Sequence, residues 1–173
     1  MRTRLVLGTF LLGLIAVGVA LAGANGNWST HANGSMEVPV RDTNAQGQAI
    51  FHLSSDGTEL DYKLIGSNIE NVFMAHIHME EPGVNGPIVV WLYPSTAVAP
   101  GPLGSGRHDG ILAEGTITAS NLVGPLAGQP LSALVEAMDS GNAYVNIHTN
   151  DGVGDVNTGP GDFPGGEVRG DIR

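Results

Sequence analysis

The side chains best placed to do chemistry in this sequence are three histidines. His76 and His78 stand two apart in Met74-Ala75-His76-Ile77-His78-Met79, and His148 closes the run Tyr144-Val145-Asn146-Ile147-His148-Thr149. Successive residues of a strand point to opposite faces, so a spacing of two puts both imidazoles of the first run on one face. Phe73, Ala75, Ile77 and Met79 take the other face, as a core requires. The second run alternates in the same way and sets His148 opposite Val145 and Ile147. If the two strands lie side by side with these faces aligned, three imidazoles converge on one point. Neutral imidazole is a ligand for copper, zinc or nickel, and the usual order for nitrogen donors puts copper first and zinc second. Three protein ligands leave a position open to water or substrate, unlike a closed four-ligand structural site. Protonation would release the metal below about pH 6. The competing reading is a polar sheet face whose rings only bond a covering loop.

Other residues are weaker candidates. His52 alternates with Ile50 and Ser54, which offers a fourth ligand or an outward polar residue. His108 sits in a stretch rich in proline and glycine, Pro94–Gly110, together with Arg107 and Asp109. Glu80 shares the face of His78 and is placed to orient an imidazole through its second nitrogen. Met74 shares that face too; a soft thioether there would favour copper, but packing in the core or at its rim is the leading reading. Glu167, Arg169 and Asp171 lie on one face of a C-terminal strand. Arg169 is expected to reach carboxylates or loop carbonyls and so hold Asn150–Gly166 against the sheet. That loop carries Asp151, Asp155, Asn157 and Asp162, but its spacing lacks the calcium-loop register, so calcium is a minor expectation. No serine, cysteine or paired-carboxylate constellation marks a catalytic residue.

The elements that must position these residues read as mostly β. Short alternating runs recur between turns rich in glycine and proline, the pattern of a sandwich or barrel. Strands are expected near 28–33, 48–54, 59–65, 72–80, 88–93, 111–118, 143–149 and 167–172. Ser55-Asp56-Gly57-Thr58 reads as a tight hairpin turn. Pro130–Met138 spaces apolar residues at three and four, opens with proline and stops before Gly141, which predicts a short helix.

Four N-terminal residues with two arginines precede an apolar run from Leu5 to Ala22, and Ala20-Leu21-Ala22 and Ala22-Gly23-Ala24 fit a signal-peptidase site. Residues 1–24 thus read as a secretory signal, and 25–173 as one exported domain of ordinary size, secreted or otherwise extracytoplasmic. An uncleaved anchor is the alternative for the apolar run, and no second spanning segment follows. The formal net charge is −10, and the acidic surface this implies repels nucleic acid and anionic lipid. There is no cysteine, so the fold stands on packing, or on packing plus metal.

His76-Ile77-His78 followed by Gly83-Val84-Asn85-Gly86-Pro87-Ile88-Val89-Val90 resembles the central signature of the CHRD domain, named after repeats in the animal protein chordin. Ser140–Thr149 and Gly165-Gly166-Glu167-Val168-Arg169-Gly170 resemble its C-terminal signature, and Met36-Glu37-Val38-Pro39 with Gln48–Leu53 its opening. The resemblance covers about residues 29–173. It implies a secreted module, found in chordin, which sequesters growth factors, and alone in microbes. A looser resemblance concerns the site. His-x-His on one strand and a distant strand histidine are similar to the copper site of copper–zinc superoxide dismutases, themselves Greek-key β-sandwiches. That resemblance implies His76, His78 and His148 as copper ligands, His108 as a guess for the metal-bridging position and Arg169 for a guiding arginine. No cysteine supports that family's disulfide, and no histidine cluster supplies its zinc site. The combined expectation is an all-β, Greek-key antiparallel β-sandwich of about eight strands with one short helix and a mononuclear histidine-rich copper site. Its alternatives are an extracellular protein-binding module and a cell-surface structural module, neither needing metal.

Overall fold

Alternation of apolar and polar residues builds eight strands: β1 (Asn27–Asn33), β2 (Gln46–Leu53), β3 (Leu60–Glu70), β4 (Val72–Met79), β5 (Ile88–Tyr93), β6 (Arg107–Ile117), β7 (Ala143–Thr149) and β8 (Val168–Asp171). The computed structural model describes residues 26–173, so the proposed signal segment lies outside the described residues. Every strand pairing is antiparallel, and the eight strands form one hydrogen-bonded sheet in the order β5-β4-β7-β8-β1-β2-β3-β6. The fold is all-β and sandwich- or barrel-like. Its two four-stranded halves share a core, and β8 meets β1 through a single residue pair, Arg169 with Asn33. Tyr62 of β3 ties the halves together by donating its hydroxyl to the Leu92 carbonyl of β5, at 2.7 Å.

The core collects the apolar set expected from the alternation. Phe51, Ala75, Ile77, Val89, Val145, Ile147 and Val168 are fully buried, and Leu53 packs at the edge of the same cluster. One residue carries the chain from one half to the other. β3 pairs with β2 and β6, β4 pairs with β5 and β7, and only Asn71 stands between β3 and β4. Asn71 has φ +55, which asparagine tolerates because its short side chain can bond locally. Here its amide accepts from the Gly106 N–H at 2.9 Å and donates to the Gly161 carbonyl at 3.2 Å. This corner delivers the histidine strand to the second layer.

Boundaries differ from expectation where pairing overrides local pattern. β3 runs on to Glu70 and β6 starts at Arg107, because Ile69 pairs with His108 and Glu70 with Arg107. Gly110, at φ +122, interrupts the alternation there, and it made a strand look like a loop. Arg107 and His108 therefore belong to an edge strand. The helix α1 spans Leu131–Asp139 and buries Leu131, Leu134, Val135, Ala137 and Met138. It starts one residue after Pro130, whose ring suits the entry. Asp139 at its end accepts from Trp28 Nε1 at 2.9 Å, pinning the helix to β1. In the 54–58 turn, Asp56 accepts from Ser54 Oγ and from Thr58 N–H and Oγ1, and Gly57 takes φ +72.

Candidate metal centre

β4 and β7 are antiparallel neighbours, with Met74 opposite His148, His76 opposite Asn146 and His78 opposite Tyr144. On the far side of β4, Trp91 of β5 lies opposite His76. The β4–β5 register slips between Ala75 and His76 and again between Ile77 and His78. Such irregularities re-aim side chains, and both adjoin a histidine. On the far side of β7, Arg169 lies opposite Asn146 and Asp171 opposite Tyr144. A row of Trp91, His76, Asn146 and Arg169 thus crosses the face of the sheet away from the core.

That face is not solvated. Every residue of β7 is buried, and His76, His78 and His148 are 0%, 9% and 5% exposed. The segments around Gly86 and Pro164 cover them, each placing a backbone carbonyl against a histidine ring. The sequence hid this because both covering segments have the composition of solvated loops.

The three imidazoles converge. Ring centroids lie 4.9 Å apart for His76 and His148, 5.6 Å for His76 and His78, and 5.9 Å for His78 and His148. One ligand nitrogen from each falls within 4.8 Å of the others. His78 Nδ1 lies 2.9 Å from the Gly86 carbonyl and His148 Nδ1 2.9 Å from the Pro164 carbonyl. A carbonyl only accepts, so both Nδ1 atoms carry the proton and both Nε2 atoms present bare lone pairs. His76 Nδ1 lies 3.2 Å from His148 Nε2, a contact in which one shared proton would give way to a metal held by both nitrogens. That separation is close to the edge of a ligand tetrahedron built on metal–nitrogen bonds of about 2.0–2.1 Å. Nε2 of His76 and of His78 are buried without a hydrogen-bond partner. Buried polar atoms are rarely left so, and in a cluster of three imidazoles each of these nitrogens offers a lone pair that a metal ion could take. The donor set therefore fits a metal ion.

Burial keeps the rings neutral. It lowers the pKa of His76 to about 2, with His148 and His78 adding to the effect. Burial also lowers His148 to about 4, helped by His78 and opposed by the Pro164 carbonyl. His78 is lowered too, by burial first, with the Gly86 carbonyl opposing and Arg169 assisting. His76 and His148 thus stay deprotonated well below pH 6, the point at which ordinary histidines take up a proton.

Aromatic rings wall the site. Trp91 meets His76 edge to face at 4.2 Å between centroids, and Tyr144 stacks on His78 at 5.0 Å with planes 10° apart. The Tyr144 hydroxyl accepts from the Gly86 N–H at 2.9 Å, and the Arg169 guanidinium lies 3.5 Å over the Tyr144 ring. Arg169 is 1% exposed and donates to the Val84 carbonyl at 2.8 Å, with Asp171 3.7 Å from its Nε. It therefore clamps the 81–86 segment above His78 and not, as expected, the 150–166 loop. Its fork reaches across from β8 because β8 lies beyond β7. The 150–166 loop is held by others. Glu167, 1% exposed, accepts from Thr43 Oγ1, Thr149 Oγ1 and the Gly161 N–H, while Arg41 donates to the Gly166 carbonyl and covers the Phe163 ring. Within that loop Asp151 and Asp162 cap turns by accepting from Val153 N–H and from Thr158 N–H and Oγ1.

Three candidates lie elsewhere. Glu80 is exposed and accepts from the Glu81 N–H; the Nδ1 proton of His78 goes to a backbone carbonyl instead. His52 is exposed on β2 and bonds Asn27 Oδ1 at 2.6 Å. His108, on β6, bonds the Ile111 carbonyl at 3.0 Å. Neither joins the triad, which among the described residues is the one group of three or more histidine, cysteine or acidic side chains able to hold a metal. Sequence reasoning missed Trp91, Tyr144 and Glu37 as parts of the site. Glu37 is 4% exposed and accepts Asn146 Nδ2 on both oxygens, at 3.0 and 3.1 Å, and burial raises its pKa to about 7. A glutamate in an otherwise apolar opening motif was the available signal.

A family model, the CHRD domain, matches residues 28–172, which is almost the whole described chain. The chain belongs to the CHRD domain family. No curated protein and no solved structure matches it. In this CHRD domain the triad, its aromatic walls and the Arg169 clamp all fall inside the matched span. No helix among the described residues is long and apolar enough to cross a membrane.

Proposed function

We propose that this CHRD domain is an exported metal-handling protein in which His76, His78 and His148 hold one ion, copper first and zinc second. The observation that carries the reading is the orientation of the lone pairs. Two backbone carbonyls take the Nδ1 protons of His78 and His148, which aims both bare Nε2 atoms at the cluster, with His76 Nδ1 3.2 Å from one of them. Carbonyl partners of this kind fix ring orientation and raise ligand basicity. Bound copper would supply a one-electron redox centre. The chain's own contribution is to present three neutral imidazoles, to exclude bulk water with the segments around Gly86 and Pro164, and to brace those segments with Arg169 and Glu167. Family membership supports an extracellular or structural setting, and the basic-then-apolar start of the sequence supports export.

A second reading rests on the same two carbonyl contacts. In it the histidines only brace loops and the domain is an extracellular protein-binding or cell-surface structural module. Calorimetric titration with Cu(II) and Zn(II), beside His148→Ala, separates the two. The metal reading expects one saturable site, tighter for copper, that weakens at least tenfold in the variant. No saturable site in the unaltered protein gives the case to the binding module.

A further inference from the structure

We propose that this centre is built for the cuprous ion: three neutral imidazoles, shut off from water and with no carboxylate among the ligands, hold Cu(I) in preference to Cu(II). The inference rests on the metal reading above and adds the oxidation state to it.

The first argument is charge. The cost of moving an ion from water into a low-dielectric interior grows with the square of its charge, so a divalent ion needs compensating negative ligands far more than a monovalent one. The triad supplies none. Among the described residues the only metal-capable group is the three histidines, all 9% exposed or less. The carboxylates nearest the site are turned to other partners. Glu37 holds Asn146 Nδ2, Glu167 holds Thr43, Thr149 and Gly161, Asp171 faces Arg169 Nε, and Glu80 is exposed. The nearest full charge on the aromatic side is positive: the Arg169 guanidinium stacks on Tyr144, and Tyr144 stacks on His78. It disfavours the extra charge of Cu(II).

The second argument is donor number and softness. Cu(II) prefers a tetragonal set of nitrogen and oxygen donors, whereas three nitrogens with no carboxylate among them suit a closed-shell monovalent ion. Two of the neighbouring side chains are soft or apolar. Trp91 meets His76 edge to face, and Met74 shares the histidine face directly across from His148. A dry, apolar surround of this kind raises a copper reduction potential.

The test is a pair of competition titrations on the purified protein, one against a chromophoric Cu(I) chelator without oxygen and one against a Cu(II) chelator. Their ratio gives the potential of the bound couple relative to aqueous copper. The expected preference for Cu(I) is about a hundredfold, each tenfold being about 59 mV for one electron. Met74→Glu, set beside Met74→Gln, places a carboxylate or its neutral isostere opposite His148, and is expected to cut that preference about tenfold more than the glutamine does. A ratio at or below one overturns the cuprous reading and leaves the metal centre standing. Equal ratios in the two Met74 variants overturn its electrostatic basis. No saturable binding of Cu(I), Cu(II) or Zn(II) removes the metal centre itself.

Discussion

Two backbone carbonyls and a layer of covering loop decide how the triad titrates, and that has a consequence for stability. In the unfolded chain each histidine binds protons near its ordinary value of 6.5, whereas burial holds His148 at about 4 and His76 at about 2 in the fold. Below pH 6.5 the unfolded chain therefore carries more protons. The stability these groups contribute is complete above 6.5 and is lost as pH falls toward their folded values, at about 1.4 kcal/mol per pH unit for each. Glu37 acts with opposite sign. Its pKa rises from 4.5 to about 7 on folding, so its contribution is lost as pH climbs through that interval. Between 4.5 and 6.5 the histidines outnumber it, and the urea midpoint is expected to fall as the solution is acidified. Glu37→Gln keeps an acceptor for Asn146 Nδ2 and removes the buried charge; at pH 8 it is expected to stabilise by about 1–2 kcal/mol, with a smaller gain at pH 5. Identical midpoints for variant and parent at pH 8 would show that Glu37 is not desolvated as described. The triad itself was legible in the sequence because a period of two leaves no choice of face for His76 and His78. Its burial was not, since that depends on Gly86 and Pro164, whose carbonyls carry no side-chain signature.

At the scale of elements, the segment between β4 and β5 is held from across the sheet. Arg169 on β8 passes over Tyr144 on β7 to reach the Val84 carbonyl, while Tyr144 takes the Gly86 N–H. Arg169→Ala removes a nearly fully buried guanidinium and leaves those partners unpaired, so a loss of about 2–4 kcal/mol is expected. Arg169→Lys is not expected to restore it, because an ammonium lacks the planar fork that stacks on the ring. Chemical denaturation checks both, and unchanged midpoints would reduce the arginine to a bystander. That Arg169 is an anchor could be read from its place among carboxylates and glycines. Which loop it anchors could not, because this depends on the strand order β4-β7-β8, set by pairing between residues far apart in sequence. The same non-local pairing lengthened β3 and β6 past the boundaries that alternation suggested, and moved His108 onto an edge strand.

At the scale of the whole molecule, the site and the core are two faces of the same strands. Ile77 and Ile147 point into the core from β4 and β7, while His76, His78 and His148 point the other way. Ile147→Ala, which opens a cavity between the halves beside Gly47, is expected to cost about 2–5 kcal/mol. His148→Ala leaves the core untouched, so a metal defect in that variant without a comparable fall in its metal-free denaturation midpoint would separate site from scaffold. A metal held by the triad of the folded chain alone would stabilise it, so saturating copper is expected to raise the stability of the parent by about 2.7 kcal/mol at a hundred times Kd, and not that of His148→Ala. The most direct measurement is anomalous diffraction at the copper edge from crystals grown with copper. The account predicts one peak about 2.0–2.1 Å from a nitrogen of each of His76, His78 and His148; a peak elsewhere on the chain, or none between these three rings, would contradict it.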